Sequence, residues 1–229
     1  MSELFEGRAR AILFDLDGTL VDTAPDMVSA LQELQRSNGI EPVPYAQGRS
    51  QVSNGAMGLL RLAFPDESIT PDSALMCDFI ARYKAQVCDK SGLFAGLDEL
   101  LTSLEECGTP WGVVTNKPGH LTNPIMDALG LASRSATTVS GDTLPTRKPD
   151  PATLLHASEE VGIAATECIY VGDAQRDIEA GKNAGMATIA VGYGYIAADD
   201  SPLAWDADRF APDVPELVNI VRKAVKLDV

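Results

Sequence analysis

Two aspartates two positions apart, Asp15 and Asp17, close the apolar run 11–14, and Gly18, Thr19 and Asp22 stand directly behind them. Like charges at that spacing repel, and any that are buried lose hydration as well. Other apolar runs also end in polar groups. Thr115 and Asn116 follow Val113 and Val114, Asp173 follows Val171 with Asp177 four residues on, and Lys148 precedes a helix that Pro151 could open. If these runs are adjacent parallel strands, their ends converge, and four carboxylates meet one lysine and one hydroxyl. So much negative charge requires a bound cation, and loosely spaced oxygen ligands suit Mg²⁺ with waters completing the octahedron. A cation beside a lysine and a threonine hydroxyl is also what a phosphoryl group needs, because the charge on its oxygens must be held during transfer. One carboxylate can then attack phosphorus while the other moves the proton. In an extended segment a spacing of two sends the Asp15 and Asp17 side chains to one side.

The elements that must position these groups are legible as an alternation. Runs 11–14, 111–114, 136–139, 168–171 and 187–191 read as buried strands. Between them, Leu97, Leu100, Leu101 and Leu104 follow the i, i+3, i+4, i+7 spacing of an amphipathic helix, as Leu154, Leu155, Ser158 and Val161 do more weakly. Such alternation predicts an α/β fold, a Rossmann-like doubly wound parallel sheet with ligands at the carboxyl ends of its strands. Residues 22–91 break the pattern. They carry helical signals at Met27, Leu31 and Leu34 and over 71–87, interrupted by turn-rich 38–44 and 63–72, and no strand. This reads as a small helical domain, 22–91, inserted into a core of residues 1–21 and 92–229. Its crossings near 22–25 and 90–92 are candidate hinges.

Composition narrows the function further. At 229 residues with 45% hydrophobic and 22% charged residues, the chain is an ordinary globular one, with no apolar run long enough to span a membrane. The N-terminal ten residues carry Glu3 and Glu6 where a secretion signal would be basic and then apolar, so a cytoplasmic protein is expected. A net charge of -15 argues against nucleic acid and against anionic membrane, but leaves room for an anionic small substrate met by local cations. The four cysteines form no CxxC pair and are read as buried free thiols.

The pieces FDLDGTLVDT, VVTNK, KPDP and GDAQRD, in this order, resemble the four motifs of the haloacid dehalogenase superfamily, and the helical insertion resembles that superfamily's cap. Within it the chain is similar to the phosphoglycolate phosphatase branch. LFAGLDELL, WGVVTNKP and GYGYI resemble members that act on N-acetylmuramate 6-phosphate. The resemblance implies a Mg²⁺-dependent phosphatase that acts on a small phosphorylated metabolite as a monomer or homodimer. Asp15 would be nucleophile and metal ligand. Asp17 would be acid and base, with its backbone carbonyl on the metal. Thr115, Asn116 and Lys148 would hold the phosphate, and Asp173 and Asp177 would complete the metal site.

The insertion should select the substrate, because the phosphate pocket is generic. Its best contact loop is 48–56, where Ser53, Asn54 and Gly55 offer donors at a helix start and Arg49 could reach a substrate carboxylate. Lys117 and Arg147 are read as surface charges, and His120 and His156 as ordinary helix residues. The rivals are a phosphomutase sharing the motifs and a catalytically silent binding protein on the same fold.

Overall fold

In the computed structural model, which describes residues 5–226, the apolar run Ala11–Phe14 forms β1 and is buried along its whole length. Glu3 and the extreme ends of the expected core segments, 1–4 and 227–229, lie outside the described residues. Burial on both faces is what a central parallel strand requires. A short pair, β2 (Val21–Asp22) and β3 (Gly92–Leu93), follows β1 in the chain, but in the sheet the neighbours of β1 are β4 (Trp111–Val114) and β6 (Cys168–Gly172), both parallel to it. β5 (Thr138–Val139) extends the sheet on one side, and β7 (Ala187–Val191) and β8 (Arg209–Ala211) extend it on the other. Six parallel strands thus run in the order β5-β4-β1-β6-β7-β8. The chain winds outward from β1 to β5 and then crosses back to β6. That reversal beside β1 is where open α/β sheets bind ligands.

Successive strand residues point to opposite faces, and the two cores follow that rule. Ile12 and Phe14 pack with Leu100 and Leu104 of α5 (Leu97–Glu106), Ile125 of α6 (Gly119–Ala128) and Leu217 of α9 (Val214–Val225). Ala11 and Leu13 face Leu154 of α7 (Ala152–Val161) and Ala180 of α8 (Gln175–Asn183). Helices therefore cover both faces, as expected. The run expected at 136–139 is shortened to its last two residues. β8 was not anticipated, because it is three residues long and its Arg209 is exposed at the sheet edge. α7 buries Leu154 and Ser158 as its weak pattern implies, but it also turns Thr153 and Ala157 inward and leaves Leu155 exposed. The cysteines are free, but the expectation of burial holds for Cys168 alone; Cys77 and Cys107 are exposed on helix surfaces and ends.

Between β2 and β3 the chain forms α1 (Ala24–Ser37), α2 (Tyr45–Arg49), α3 (Gly55–Ala63) and α4 (Ala74–Ala85). Met27, Leu31, Leu34, Leu59, Phe79 and Tyr83 give these helices a core of their own. Ser73 starts α4 by accepting from the Met76 N–H, which trims the helix expected over 71–87. The two crossings are tied to each other. β2 and β3 pair antiparallel, and the buried Asp26 carboxylate accepts from the Lys90 and Ser91 N–H groups and, at 2.6 Å, from the Ser91 hydroxyl.

Candidate active site

Strand register sets the polar residues level with one another. Phe14 pairs with Val113 and with Val171, and the Asp15 N–H donates to the Val171 carbonyl at 2.9 Å. Asp15, Thr115 and Asp173 therefore leave the sheet at one edge, and all three are buried. Lys148 reaches them from the loop before α7. Its Nζ lies 2.9 Å from Asp15 Oδ1 and 2.7 Å from Asp177 Oδ1, and donates to the Val114 carbonyl and the Tyr170 hydroxyl. Burial disfavours the ammonium, but Asp15 and Asp177 more than offset this, and its pKa stays above the ordinary lysine value. The Asn116 carboxamide clamps this loop: Oδ1 accepts from the Lys148 N–H and Nδ2 donates to the Lys148 carbonyl, each at 3.0 Å. Expected to face phosphate, that side chain positions Lys148.

Asp15, Asp173 and Asp177 each offer one carboxylate oxygen within 4.8 Å of the others. The Oδ1 atoms of Asp15 and Asp177 both face the Lys148 ammonium, and Asp173 Oδ1 has no partner among the described residues. Three buried carboxylates around one ammonium carry surplus negative charge, and this set of hard oxygens fits a divalent cation such as Mg²⁺. The strain of bringing them together shows in Asp173, whose carboxyl is pushed up to about 7 by burial and then by Asp15 and Asp177. Burial also raises Asp177, against the pull of Lys148. The remaining oxygens are fixed. Asp173 Oδ2 accepts from the Ser53 hydroxyl and the Tyr195 N–H, and Asp177 Oδ2 accepts from the Ala174 N–H. Gly18, at a φ of +84°, is required here, because a Cβ would sit 2.1 Å from Asp173 Oδ2.

A stability measurement follows from Asp173. Its folded-state pKa of about 7 lies above the ordinary value of 3.8, so between these values the folded state binds more protons than the unfolded, and stability falls as pH rises. In chelator, Asp173→Asn is expected to melt higher than the parent, by a margin that grows from about pH 4 to about pH 7 and is constant above. Added Mg²⁺ should raise the parent's melting temperature at pH 7.5 and leave the variant's nearly unmoved. A parent insensitive to Mg²⁺ would contradict the metal assignment.

Asp17 stands apart from this trio. Its Oδ1 accepts from Lys117 Nζ at 2.9 Å and from the Thr23 hydroxyl. The reading of Lys117 as a surface charge is corrected: it is buried, with Met27 Sδ 3.9 Å from its Nζ and the Tyr83 ring 4.8 Å away. Burial opposes its charge, yet Asp17 holds its pKa above the ordinary lysine value.

A cavity of about 900 Å³ opens over these groups. Asp15, Asp17, Thr115 and Lys148 line one part, and Ser53, Asn54 and Gly55 line another. Arg49 is not brought to it. That side chain pairs with Asp22 at 3.2 Å, donates to the Tyr193 carbonyl and lies over the Tyr195 ring. Sequence reasoning also missed Tyr170 and Tyr195. The Tyr195 hydroxyl accepts from the Thr23 and Ala24 N–H groups and donates to Asp22, so it ties the first crossing to the β7 loop. Gly192 and Gly194 around it were the available signal. His120, Arg147 and Lys84 line the cavity as well.

A sheet reversing beside β1, with an aspartate pair at its carboxyl edge and a buried lysine and two more aspartates around it, defines a class of phosphoryl-handling α/β enzymes. The chain belongs to the haloacid dehalogenase-like hydrolases, whose family pattern it matches over residues 12–191. It is 43% identical over 208 residues to a phosphoglycolate phosphatase of Xanthomonas campestris pv. campestris strain 8004, covering 91% of this chain and 94% of that one. It is 40% identical over 219 residues to an N-acetylmuramic acid 6-phosphate phosphatase of Pseudomonas aeruginosa, covering 95% and 97%. A crystal structure from Haemophilus somnus 129PT, described as a predicted phosphoglycolate phosphatase, superposes with a TM-score of 0.82 at 27% identity, covering 93% and 98%. By class the chain is a phosphoric monoester hydrolase. No helix among the described residues is long and apolar enough to cross a membrane.

Proposed function

We propose that this chain hydrolyses the phosphate monoester of a small metabolite, phosphoglycolate or a sugar phosphate such as N-acetylmuramate 6-phosphate, through an aspartyl phosphate on Asp15. The observation that carries this reading is the set of three buried carboxylates gathered around the single Lys148 ammonium, with Asp173 Oδ1 left without a partner among the described residues. Residues 22–91 act as a cap over a core of 1–21 and 92–229, moving on the crossings that β2, β3 and Asp26 hold together. Asp15, Asp173 and Asp177, with the Asp17 backbone carbonyl, would hold Mg²⁺. When bound, the ion supplies positive charge against the carboxylates and the phosphoryl oxygens.

The chain's own groups perform the rest. An Asp15 carboxylate oxygen attacks phosphorus as the ester oxygen departs, and Asp17 gives that oxygen its proton. Lys148 stays beside Asp15 and offsets charge on the transferring group, and the Thr115 hydroxyl donates to one of its oxygens. Water then attacks the acyl phosphate, Asp17 takes its proton, and Asp15 is released with inorganic phosphate. The relatives are named as phosphatases, which supports hydrolysis over the phosphomutase alternative.

The testing experiment is a phosphate-ester panel assayed with Mg²⁺, with Ca²⁺ and after chelation. Turnover is expected with Mg²⁺ alone. Ca²⁺ should inhibit, because it prefers more ligands at longer distances than Mg²⁺ and disturbs the geometry Asp15 needs. Full activity after exhaustive chelation would remove the metal from the mechanism.

A further inference from the structure

In a chain with 33 acids and 18 bases, the cavity has the opposite balance. The acids lining it are Asp15 and Asp17, and the bases are Lys84, Lys117, Arg147, Lys148 and Arg176. Lys148 and Lys117 are committed to aspartates, and Arg176 donates to the Ser53 carbonyl. Lys84 and Arg147 pair with no carboxylate among the described residues. Arg147 Nε donates to the Gly141 carbonyl at 2.6 Å, which fixes the base of the guanidinium and leaves its terminal N–H groups open to the cavity. His120, at the start of α6, adds a third donor. All three are exposed, so they stand where the cavity meets solvent. They also come from both sides: Lys84 from α4 of the insertion, His120 and Arg147 from the sheet side.

The cavity's size and walls add a second constraint. Its volume lies high in the range of about 300–1,000 Å³ that takes drug-sized ligands, far more than a two-carbon leaving group fills. Val52, Met57, Met76, Phe79 and Ile80 make one wall apolar, and methionines adapt to irregular ligand surfaces.

We propose that the leaving group of the physiological substrate carries an apolar face and a carboxylate, the carboxylate being bound by Arg147, Lys84 and His120 across the boundary between insertion and sheet. This rests on the phosphatase reading above, since the phosphoryl group occupies the Lys148 end. Arg147 supplies a planar fork suited to a carboxylate, and Lys84 a point charge from the opposing helix. These residues, rather than Arg49, are the specificity determinants.

The decisive comparison uses a matched pair: N-acetylmuramate 6-phosphate, and N-acetylglucosamine 6-phosphate, which lacks only the lactyl ether and its carboxylate. Nitrophenyl phosphate reports the phosphatase reading independently, and 2-phosphoglycolate supplies a carboxylate without apolar surface. The parent enzyme should prefer the lactyl sugar by at least tenfold in kcat/KM over both N-acetylglucosamine 6-phosphate and 2-phosphoglycolate. In R147Q/K84Q the ratio within the sugar pair should fall toward one, chiefly through KM for the lactyl sugar. Equal turnover of the pair by the parent, a preference for 2-phosphoglycolate, or equal losses on both sugars in the double variant would overturn the proposal. The last result would mean general attraction of anions. Absence of nitrophenyl phosphate turnover would instead overturn the phosphatase reading itself.

Discussion

Asp15→Asn is expected to lower turnover of every phosphate ester by about four orders of magnitude or more, a loss typical of removing a nucleophile, while the protein folds at least as well as the parent. The amide cannot attack phosphorus, and no other carboxylate replaces it. Asp177 is turned toward Lys148 and caps its own helix, and Asp173 is held through Oδ2 by Ser53 and Tyr195. Removing a buried charge usually costs stability when its partner is stranded. Here the partner is not stranded, since Lys148 keeps Asp177 at 2.7 Å. The trio also loses one of its mutual repulsions, the same repulsion that helps push Asp173 up to about 7. In chelator the variant should therefore melt at or above the parent temperature at pH 8, and acid quench should trap no phosphoryl-enzyme. Residual activity near one per cent, or a trapped phosphoryl group, would place the nucleophile elsewhere.

What was legible in the sequence follows from locality. β1, β4, β6 and β7 are buried on both faces, so each is a short continuous apolar run, and the aspartates behind β1 and β6 stand out against it as charge set at the end of a buried strand. The trio of Asp15, Asp173 and Asp177 was within reach for that reason. Lys117 was not. Its neighbours Asn116 and Pro118 read as a surface loop, and its burial comes from Met27 and Tyr83, which fold over it from the insertion. Arg49 failed the same way. Its partners are Asp22 and, 144 residues away, Tyr193, and no local pattern announces either. Asn116 shows a subtler limit: its type was right for phosphate, but its carboxamide is engaged by the Lys148 backbone. β8 escaped because a three-residue edge strand with an exposed arginine has neither length nor alternation to mark it.

Asp17→Asn separates the two opening aspartates and should give a different failure from Asp15→Asn. The variant keeps the nucleophile but cannot protonate a leaving oxygen or take a proton from water. It also strands Lys117, whose only carboxylate contact among the described residues is Asp17 at 2.9 Å. A buried cation without its partner costs on the order of 3 kcal/mol, so the variant should melt lower than the parent. Asp17→Asn/Lys117→Met, which removes that cation, should recover most of the loss, so that chemistry is read on a well-folded protein. With an alkyl phosphate both variants should be nearly inactive at the first step, because an alkoxide cannot leave without a proton. A nitrophenolate leaves unaided. With the aryl ester, rapid quench should therefore show up to one equivalent of phenolate, no matching free phosphate, and an enzyme stalled as the acyl phosphate on Asp15. Sustained turnover of either ester would assign the proton to another group, and its loss on adding Lys117→Met would point to the Lys117 ammonium, which lines the cavity beside Asp17.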